Sequence, residues 1–204
     1  MWKKKVVVAA TALLFSVSAN AMAAQFTDVP KDHWAHDMIM SLTDEGIIHQ
    51  SSDKLFKGDG NLTRYDFAYM VGSVLEKYGG QAKNVTFSDV PASHWAAKKI
   101  NMAASYEVLS GYGDGTFRGD KPLTRMEIAL SLYNLLQVFD KDKGAANVSF
   151  SDVPQAHWGH EAVVAVCGKD IMSGYGDGTF RGDKTMTRNE AAIMIVALLN
   201  VLQN

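Results

Sequence analysis

The chain has 204 residues, 21% of them charged, with a formal net charge of −2 at pH 7. A mildly acidic chain with no basic stripe is a poor ligand for nucleic acid, so that class of function is excluded. The single cysteine, Cys167, cannot form an internal disulfide, and the valines and alanine before it predict a buried, unreactive thiol.

Residues 1–23 have the pattern of a secretory signal peptide. Three lysines precede an apolar run from Val6 to Val17, which is too short to cross a bilayer comfortably, and small residues around Ala21 and Ala23 offer cleavage sites. A retained membrane anchor is the alternative. Cleavage after Ala23 removes three lysines and no acid, so 181 residues remain and their formal charge is −5. No later stretch is long and apolar enough to span a membrane.

The rest of the chain repeats one pattern three times. Each copy has an aromatic residue, a polar residue and Asp-Val-Pro, then His-Trp, then Thr-Arg thirty residues after the tryptophan. The copies are offset by 61 and 63 residues, which predicts one structural unit used three times. We place the units at residues 26–78, 87–139 and 150–202, joined by short polar linkers.

Each unit contains the pattern of two helices, so the fold is predicted to be mainly α. The first helix begins near the tryptophan and carries an apolar stripe at i, i+4 and i+7. The second begins at Thr-Arg-x-acid, which has the form of a capping box. These boxes are Thr63–Asp66, Thr124–Glu127 and Thr187–Glu190, and the short Asp66 predicts that the first is the weakest.

A glycine-rich turn separates the two helices. Units two and three share the string GYGDGTFRGD, at Gly111–Asp120 and Gly174–Asp183, which predicts a tight turn followed by a short extended piece. Unit one departs from this string: His49 to Leu55 lack the Gly-Tyr pair and the glycine after the aspartate. We therefore expect the turns of units two and three to form the competent binding sites.

With these motifs in fixed order and spacing, the chain resembles the S-layer homology (SLH) domain family over three consecutive modules. The resemblance implies a pseudo-threefold, three-pronged spindle with a central bundle built from one helix of each repeat. It also implies non-covalent binding of wall carbohydrate in the grooves between prongs. The ligand would be a pyruvylated secondary wall polymer or, as in outer-membrane proteins of two-membraned Firmicutes, peptidoglycan decorated with polyamines.

The arginine of Thr-Arg-x-acid is the first candidate for ligand contact. It lies at the first helical position, where the helix dipole disfavours a cation by about 0.3–1 kcal/mol at exposed sites. Its threefold use indicates a role beyond helix formation, and a planar guanidinium beside free helix N–H groups suits a carboxylate. The alternative is an internal salt bridge, for instance to the aspartate of Asp-Val-Pro. The arginines are Arg64, Arg125 and Arg188.

The other candidates come from the same motifs. Indole faces suit a sugar ring or an amine, although a tryptophan at a helix start is more often a core residue. The aspartates could line the groove or form a local Asx turn, and the tyrosines and glycines of the turn could offer hydroxyls and backbone amides. These residues are Trp34, Trp95, Trp158, Asp28, Asp89, Asp152, Tyr112, Tyr175, Gly111 and Gly174.

The sequence therefore predicts an exported, non-enzymatic protein that binds polysaccharide or peptidoglycan at the cell wall or surface (in a two-membraned cell, the periplasmic face of the wall). We expect no cofactor, and no metal, because His33, His94 and His157 suit hydrogen bonds at helix entry better. Two alternatives remain: an adaptor whose activity resides in a partner surface protein, and a hydrolase of wall glycan.

Overall fold

The computed structural model describes residues 26–204, so the predicted signal peptide lies outside the described residues. Within that range the fold is helical, with isolated bridges in place of extended strands. Each predicted unit contributes a short and a long helix. They are α1 (His36–Asp44), α2 (Arg64–Lys77), α3 (Ala97–Ser105), α4 (Arg125–Val138), α5 (His160–Cys167) and α6 (Arg188–Gln203).

The start of each long helix is a complete capping box, as predicted. In every case the threonine oxygen accepts from the third helical N–H and the acid accepts from the threonine N–H. The return bond is 3.4 Å to Asp66 but 2.9 Å to Glu127 and 2.7 Å to Glu190. The first box is therefore the loosest, as the shorter aspartate predicts.

The start of each short helix uses a histidine. Nδ1 of His33, His94 and His157 accepts the backbone N–H two residues later, at 3.2, 3.2 and 3.0 Å. This confirms the predicted helix-entry role. The apolar stripes of both helices are buried in one shared core, which also confirms the predicted periodicity.

The units are connected in a ring. Each long helix packs against the short helix of the next unit: α2 on α3, α4 on α5, and α6 on α1. Isolated bridges join the same pairs of units, at Thr63 with Pro122, Thr124 with Thr185, and Asn61 with Thr187. This cyclic order agrees with pseudo-threefold symmetry, while the spindle outline stays a prediction.

Two further sequence expectations concern single features. Cys167 is a free, buried thiol, and burial raises its pKa to about 12, so the thiolate is not available near neutral pH. Among residues 26–204, every helix falls short of the length and apolarity that crossing a membrane requires.

Candidate functional site

The junctions between units are built on the first turns of the long helices. At α4, the backbone N–H groups of Arg125 and Met126 donate to the carbonyls of Lys184 and Gly182, both at 2.9 Å. The first two N–H groups of α2 and α6 bind the turns of units two and one in the same way. The expectation that free helix N–H groups await a carboxylate is therefore wrong, because the next unit's turn already uses them.

The three motif arginines lie in these junctions. Nε of Arg64 donates to the carbonyl of Phe117 at 2.9 Å, Nε of Arg125 to that of Phe180 at 2.9 Å, and Nε of Arg188 to that of Phe56 at 2.6 Å. The same phenylalanine rings lie under the guanidinium groups, at 4.6, 4.6 and 4.9 Å. Each arginine therefore ties its own unit to the next.

The charges of these arginines are neutralised unequally. Arg188 pairs with Asp66, whereas the ion pairs of residues 26–204 include none to Arg64 or Arg125. Those two are only 5% and 7% exposed, and burial lowers the pKa of Arg64. The alternative of an internal salt bridge is therefore confirmed for Arg188, but its partner is Asp66 and not the aspartate of Asp-Val-Pro. For Arg64 and Arg125, backbone carbonyls take the place of a carboxylate. Ligand contact by the arginines stays a prediction.

The motif aspartates hold the turns. Both carboxylate oxygens of Asp152 accept backbone N–H groups, from Phe180 at 2.8 Å and from Arg181 at 2.7 Å. Burial alone would raise the pKa of Asp152, but these two N–H groups together with that of Asp152 itself outweigh it, and the pKa lies below its ordinary value. Asp28 and Asp89 bind their own turns in the same way. The local Asx-turn alternative is therefore wrong.

The glycines and tyrosines of the turn are packed against neighbours. A Cβ on Gly111 would lie 2.2 Å from the Phe87 ring, and one on Gly174 would lie 2.0 Å from the Phe150 ring. Packing thus explains the glycines without any ligand. The Tyr175 ring contacts the guanidinium groups of both Arg125 and Arg181, at 5.2 and 4.1 Å, and Tyr112 makes the equivalent two contacts.

Unit one keeps this turn without the shared string. Lys54 stands where units two and three have Gly115 and Gly178, and it takes the same left-handed conformation, with φ of 54° against 81° and 79°. Its carbonyl accepts the N–H of Thr27, as that of Gly115 accepts the N–H of Ser88. The missing glycine therefore does not abolish the turn in unit one.

The tryptophans lie at the surface. Trp34 and Trp158 are 64% and 71% exposed, whereas Trp95 is 39% exposed. The alternative of a core residue is therefore wrong for all three, although Trp95 is the most covered. The indoles of Trp34 and Trp158 each stack on the preceding histidine, at 5.6 and 5.4 Å.

Two clefts lie beside the motif residues. The larger, about 330 Å³, is at the turn of unit three and is lined by Met126, Asp152, His157, Trp158, Arg181 and Lys184, among others. The smaller, about 240 Å³, is at the turn of unit one. Its lining includes Asp28, His33, Lys57, Asp59 and Asn189. The sequence predicts competent sites at the turns of units two and three, whereas these two clefts lie at the turns of units one and three.

The residue that follows the motif arginine was not among the site residues predicted from the sequence. This position is occupied by Tyr65, Met126 and Asn189, and each side chain faces a glycine in the turn of the next unit. The three glycines are Gly119, Gly182 and Gly58, and a Cβ on each would lie within 2.9 Å of the facing side chain. The signal was present, because this is the variable position of an otherwise constant Thr-Arg-x-acid motif.

His49 gives a testable pH dependence. Its ring stacks on Trp95 at 4.4 Å and contacts Tyr69 at 5.4 Å. Burial lowers its pKa below the ordinary 6.5, and Arg188 and His94 lower it further, against the raising effect of Asp66. The neutral His49 ring therefore contributes fully to the free energy of unfolding above pH 6.5. This contribution is lost as the pH falls from 6.5 through the lowered pKa of the folded protein.

We therefore expect the melting temperature to fall between pH 7.5 and pH 5, and to fall less in His49→Phe. Calorimetry of both proteins in buffers of matched ionic strength measures the difference. Equal falls in the two proteins would contradict the assignment to His49.

The fold and the site together define a helical repeat protein whose clefts lie between successive units. The S-layer homology domain family matches the chain at residues 25–68, 86–129 and 149–192. These matches cover more than half of the sequence, and the chain belongs to this family.

Relatives with known names share these repeats. A cellulosome-anchoring protein of Acetivibrio thermocellus is 33% identical over 146 residues, which is 69% of this chain and 32% of the relative. The S-layer protein sap of Bacillus anthracis is 27% identical over 197 residues, 95% of this chain and 24% of the relative. The outer membrane protein SlpA of Thermus thermophilus is 46% identical over 72 residues, 35% of this chain and 8% of the relative. The chain thus spans a third or less of these relatives.

Proposed function

We propose that this protein attaches non-covalently to the cell wall by binding decorated wall glycan in the clefts between its units. The observation that carries the proposal is the exposed indole of Trp158, 71% accessible at the edge of a cleft with polar and cationic lining. An apolar ring face beside hydrogen-bonding and charged groups suits a sugar ring with a charged substituent. Relatives named for cellulosome anchoring and for S-layers support a role at the cell surface.

The charge around the unit three cleft favours an anionic decoration such as a pyruvate ketal. Two cations and two carboxylates line the cleft: Arg181, Lys184, Asp152 and Asp183. Arg181 already pairs with Asp177, but the ion pairs of residues 26–204 include none to Lys184, nor to Arg125 beside the cleft. Both oxygens of Asp152 already accept backbone N–H groups, so this carboxylate is less available to an amine. The competing form of the proposal is peptidoglycan bearing polyamines.

We further propose that the chain has no catalytic activity of its own. Glycoside cleavage needs a carboxylic acid with a raised pKa to protonate the leaving group. The pKa of Asp152, which lines the larger cleft, is lowered instead. Incubation with defined muropeptides should yield no products by mass spectrometry.

The test of the function is sedimentation of the mature chain with wall isolated from the producing cell. We expect Trp158→Ala to weaken binding about tenfold, because loss of one aromatic platform removes about 1.4 kcal/mol. Ile193→Ala is the matched control: this apolar side chain on α6 is 43% exposed and lines neither described cleft. Unchanged binding by Trp158→Ala would contradict the proposal.

The same assay identifies the decoration. Mild acid removes ketal-linked pyruvate, so an anionic ligand predicts that acid-treated wall no longer retains the protein. Retention that survives acid but is lost when amine substituents are removed would favour polyamine-bearing peptidoglycan. If wall that has lost both substituents still retains the protein, the protein does not recognise a decoration.

A further inference from the structure

We propose that the groove between units one and two is closed by an aromatic latch, formed by His49, Tyr65, Tyr69 and Trp95, and that Tyr65 is the residue that closes it. Wall glycan would then be bound only at the turns of units one and three. The inference rests on the proposed function, and it assigns different roles to three grooves that the repeated sequence makes look equivalent.

The latch covers the indole that would otherwise serve as a platform. His49 stacks on Trp95 with ring centroids 4.4 Å apart and an angle of 14° between the ring planes. Tyr69 and Tyr65 contact the same indole at 5.5 and 6.1 Å. Three of these four residues belong to unit one, and Trp95 belongs to unit two. Trp95 is consequently 39% exposed, against 71% for Trp158.

Tyr65 also fills the space that forms a cleft elsewhere. Its ring contacts His94 at 4.3 Å and Phe117 at 5.9 Å, and a Cβ on Gly119 would lie 2.0 Å from its Cε1. Met126 holds the equivalent position at the unit three turn and lines the larger cleft. Asn189 holds it at the unit one turn and lines the smaller one. A rigid phenol thus occupies a volume that a thioether or a short amide leaves open.

The backbones at this junction are also close together. Gly72, in the middle of α2, has no side chain, and a Cβ there would lie 2.3 Å from the carbonyl oxygen of Lys99 on α3. The positions equivalent to Gly72 are Tyr133 in α4 and Val196 in α6, whose side chains exclude such an approach. The missing side chain at Gly72 thus allows the close approach of α2 and α3 on which the latch depends, and Tyr65 fills the space that remains.

Ion pairs hold the same two helices together. Glu76 on α2 pairs with both Lys98 and Lys99 on α3. The ammonium group of Lys99 also lies 5.7 Å from the Tyr69 ring. These contacts stabilise the packing of α2 on α3 beside the latch.

The test uses the three tryptophans of the mature chain as one reporter for each groove. Single-tryptophan variants are made by replacing the other two with Phe, and acrylamide quenching is measured with and without muramidase-solubilised wall of the producing cell. Without glycan, we expect Trp95 to be quenched less than Trp158, roughly in proportion to exposures of 39% and 71%. With glycan, quenching of Trp34 and Trp158 should fall while that of Trp95 stays unchanged.

Opening the latch should change only the middle reporter. In Tyr65→Asn, which copies the residue of unit three, quenching of Trp95 should rise toward that of Trp158 and should then fall on addition of glycan. Tyr65→Phe keeps the ring and should behave as the parent chain does. A circular dichroism melt of each variant establishes that the fold persists.

The outcomes separate this inference from the proposed function. Protection of Trp95 by glycan in the chain with Tyr65 intact, equal to that of Trp158, would overturn the latch while leaving wall binding in place. So would quenching of Trp95 as strong as that of Trp158 without glycan. If no tryptophan responds and the protein does not sediment with wall, wall binding fails, and quenching without glycan still decides whether the groove is closed.

Discussion

Arg125→Ala is expected to lower the free energy of unfolding by about 3 kcal/mol. The side chain is 7% exposed, donates to the carbonyls of Phe180 and Ser173, and lies over the Phe180 ring at 4.6 Å. Each hydrogen bond from a charged group contributes about 1.5–3 kcal/mol. The variant also removes the desolvation cost of a buried cation that has no carboxylate partner, so the net loss is smaller than the sum of the two hydrogen bonds. Urea denaturation followed by circular dichroism measures the change.

Arg181→Ala is the matched control for Arg125→Ala. Both arginines lie against the Tyr175 ring, but the Arg181 side chain is 47% exposed and pairs with Asp177 at the surface. Exposed pairs contribute about 0–1 kcal/mol, so the control should be near neutral. Equal small losses in both variants would contradict the structural role of Arg125. The sequence pattern makes Arg125 a candidate for ligand contact, whereas burial of its side chain indicates a structural role.

Phe180→Ala should destabilise the protein at least as much as Arg125→Ala, with a loss of about 3–5 kcal/mol in the free energy of unfolding. The ring is completely buried, packs on Phe150 at 5.7 Å and lies under Arg125. Its backbone carbonyl accepts from Arg125 and its N–H donates to Asp152, so collapse around the cavity would disturb both contacts. Calorimetric and urea unfolding of residues 24–204 should agree on the loss.

Phe150→Ala and the double variant control this result. Phe150 is only partly buried, so its loss should cost less than that of Phe180. Because Arg125 and Phe180 share a contact, combining Arg125→Ala with Phe180→Ala should cost less than the sum of the single losses. Strict additivity would mean that the arginine does not depend on the ring beneath it.

Features that depend on neighbouring residues were predictable. The apolar stripes follow the helical period, and a capping box needs only a threonine and an acid three residues later. All three boxes and both stripes of each unit occur as predicted, down to the looser bond at Asp66. The buried thiol of Cys167 was also evident from its apolar neighbours.

Contacts between units were not predictable in the same way. The partner of Arg64 is 53 residues along the chain and that of Arg188 is 132 residues back, and each is a backbone carbonyl that leaves no mark in the sequence. The aspartates of Asp-Val-Pro bind amides about 28 residues away for the same reason. The repeated motifs correctly indicated a shared use, but a backbone acceptor could not be identified from side-chain types.

By itself, the sequence determined three similar helical units, the positions of their helices and turns, and membership of the S-layer homology domain family, because these depend on short-range pattern and spacing. Only the tertiary structure decided how the grooves differ. One position in the repeat is occupied by Tyr65, Met126 and Asn189, and each of these side chains packs against the turn of the next unit. The size of the side chain therefore determines how much space is left at that turn. Whether a groove is open depends on packing across the junction, where residues distant in sequence compete for the same space.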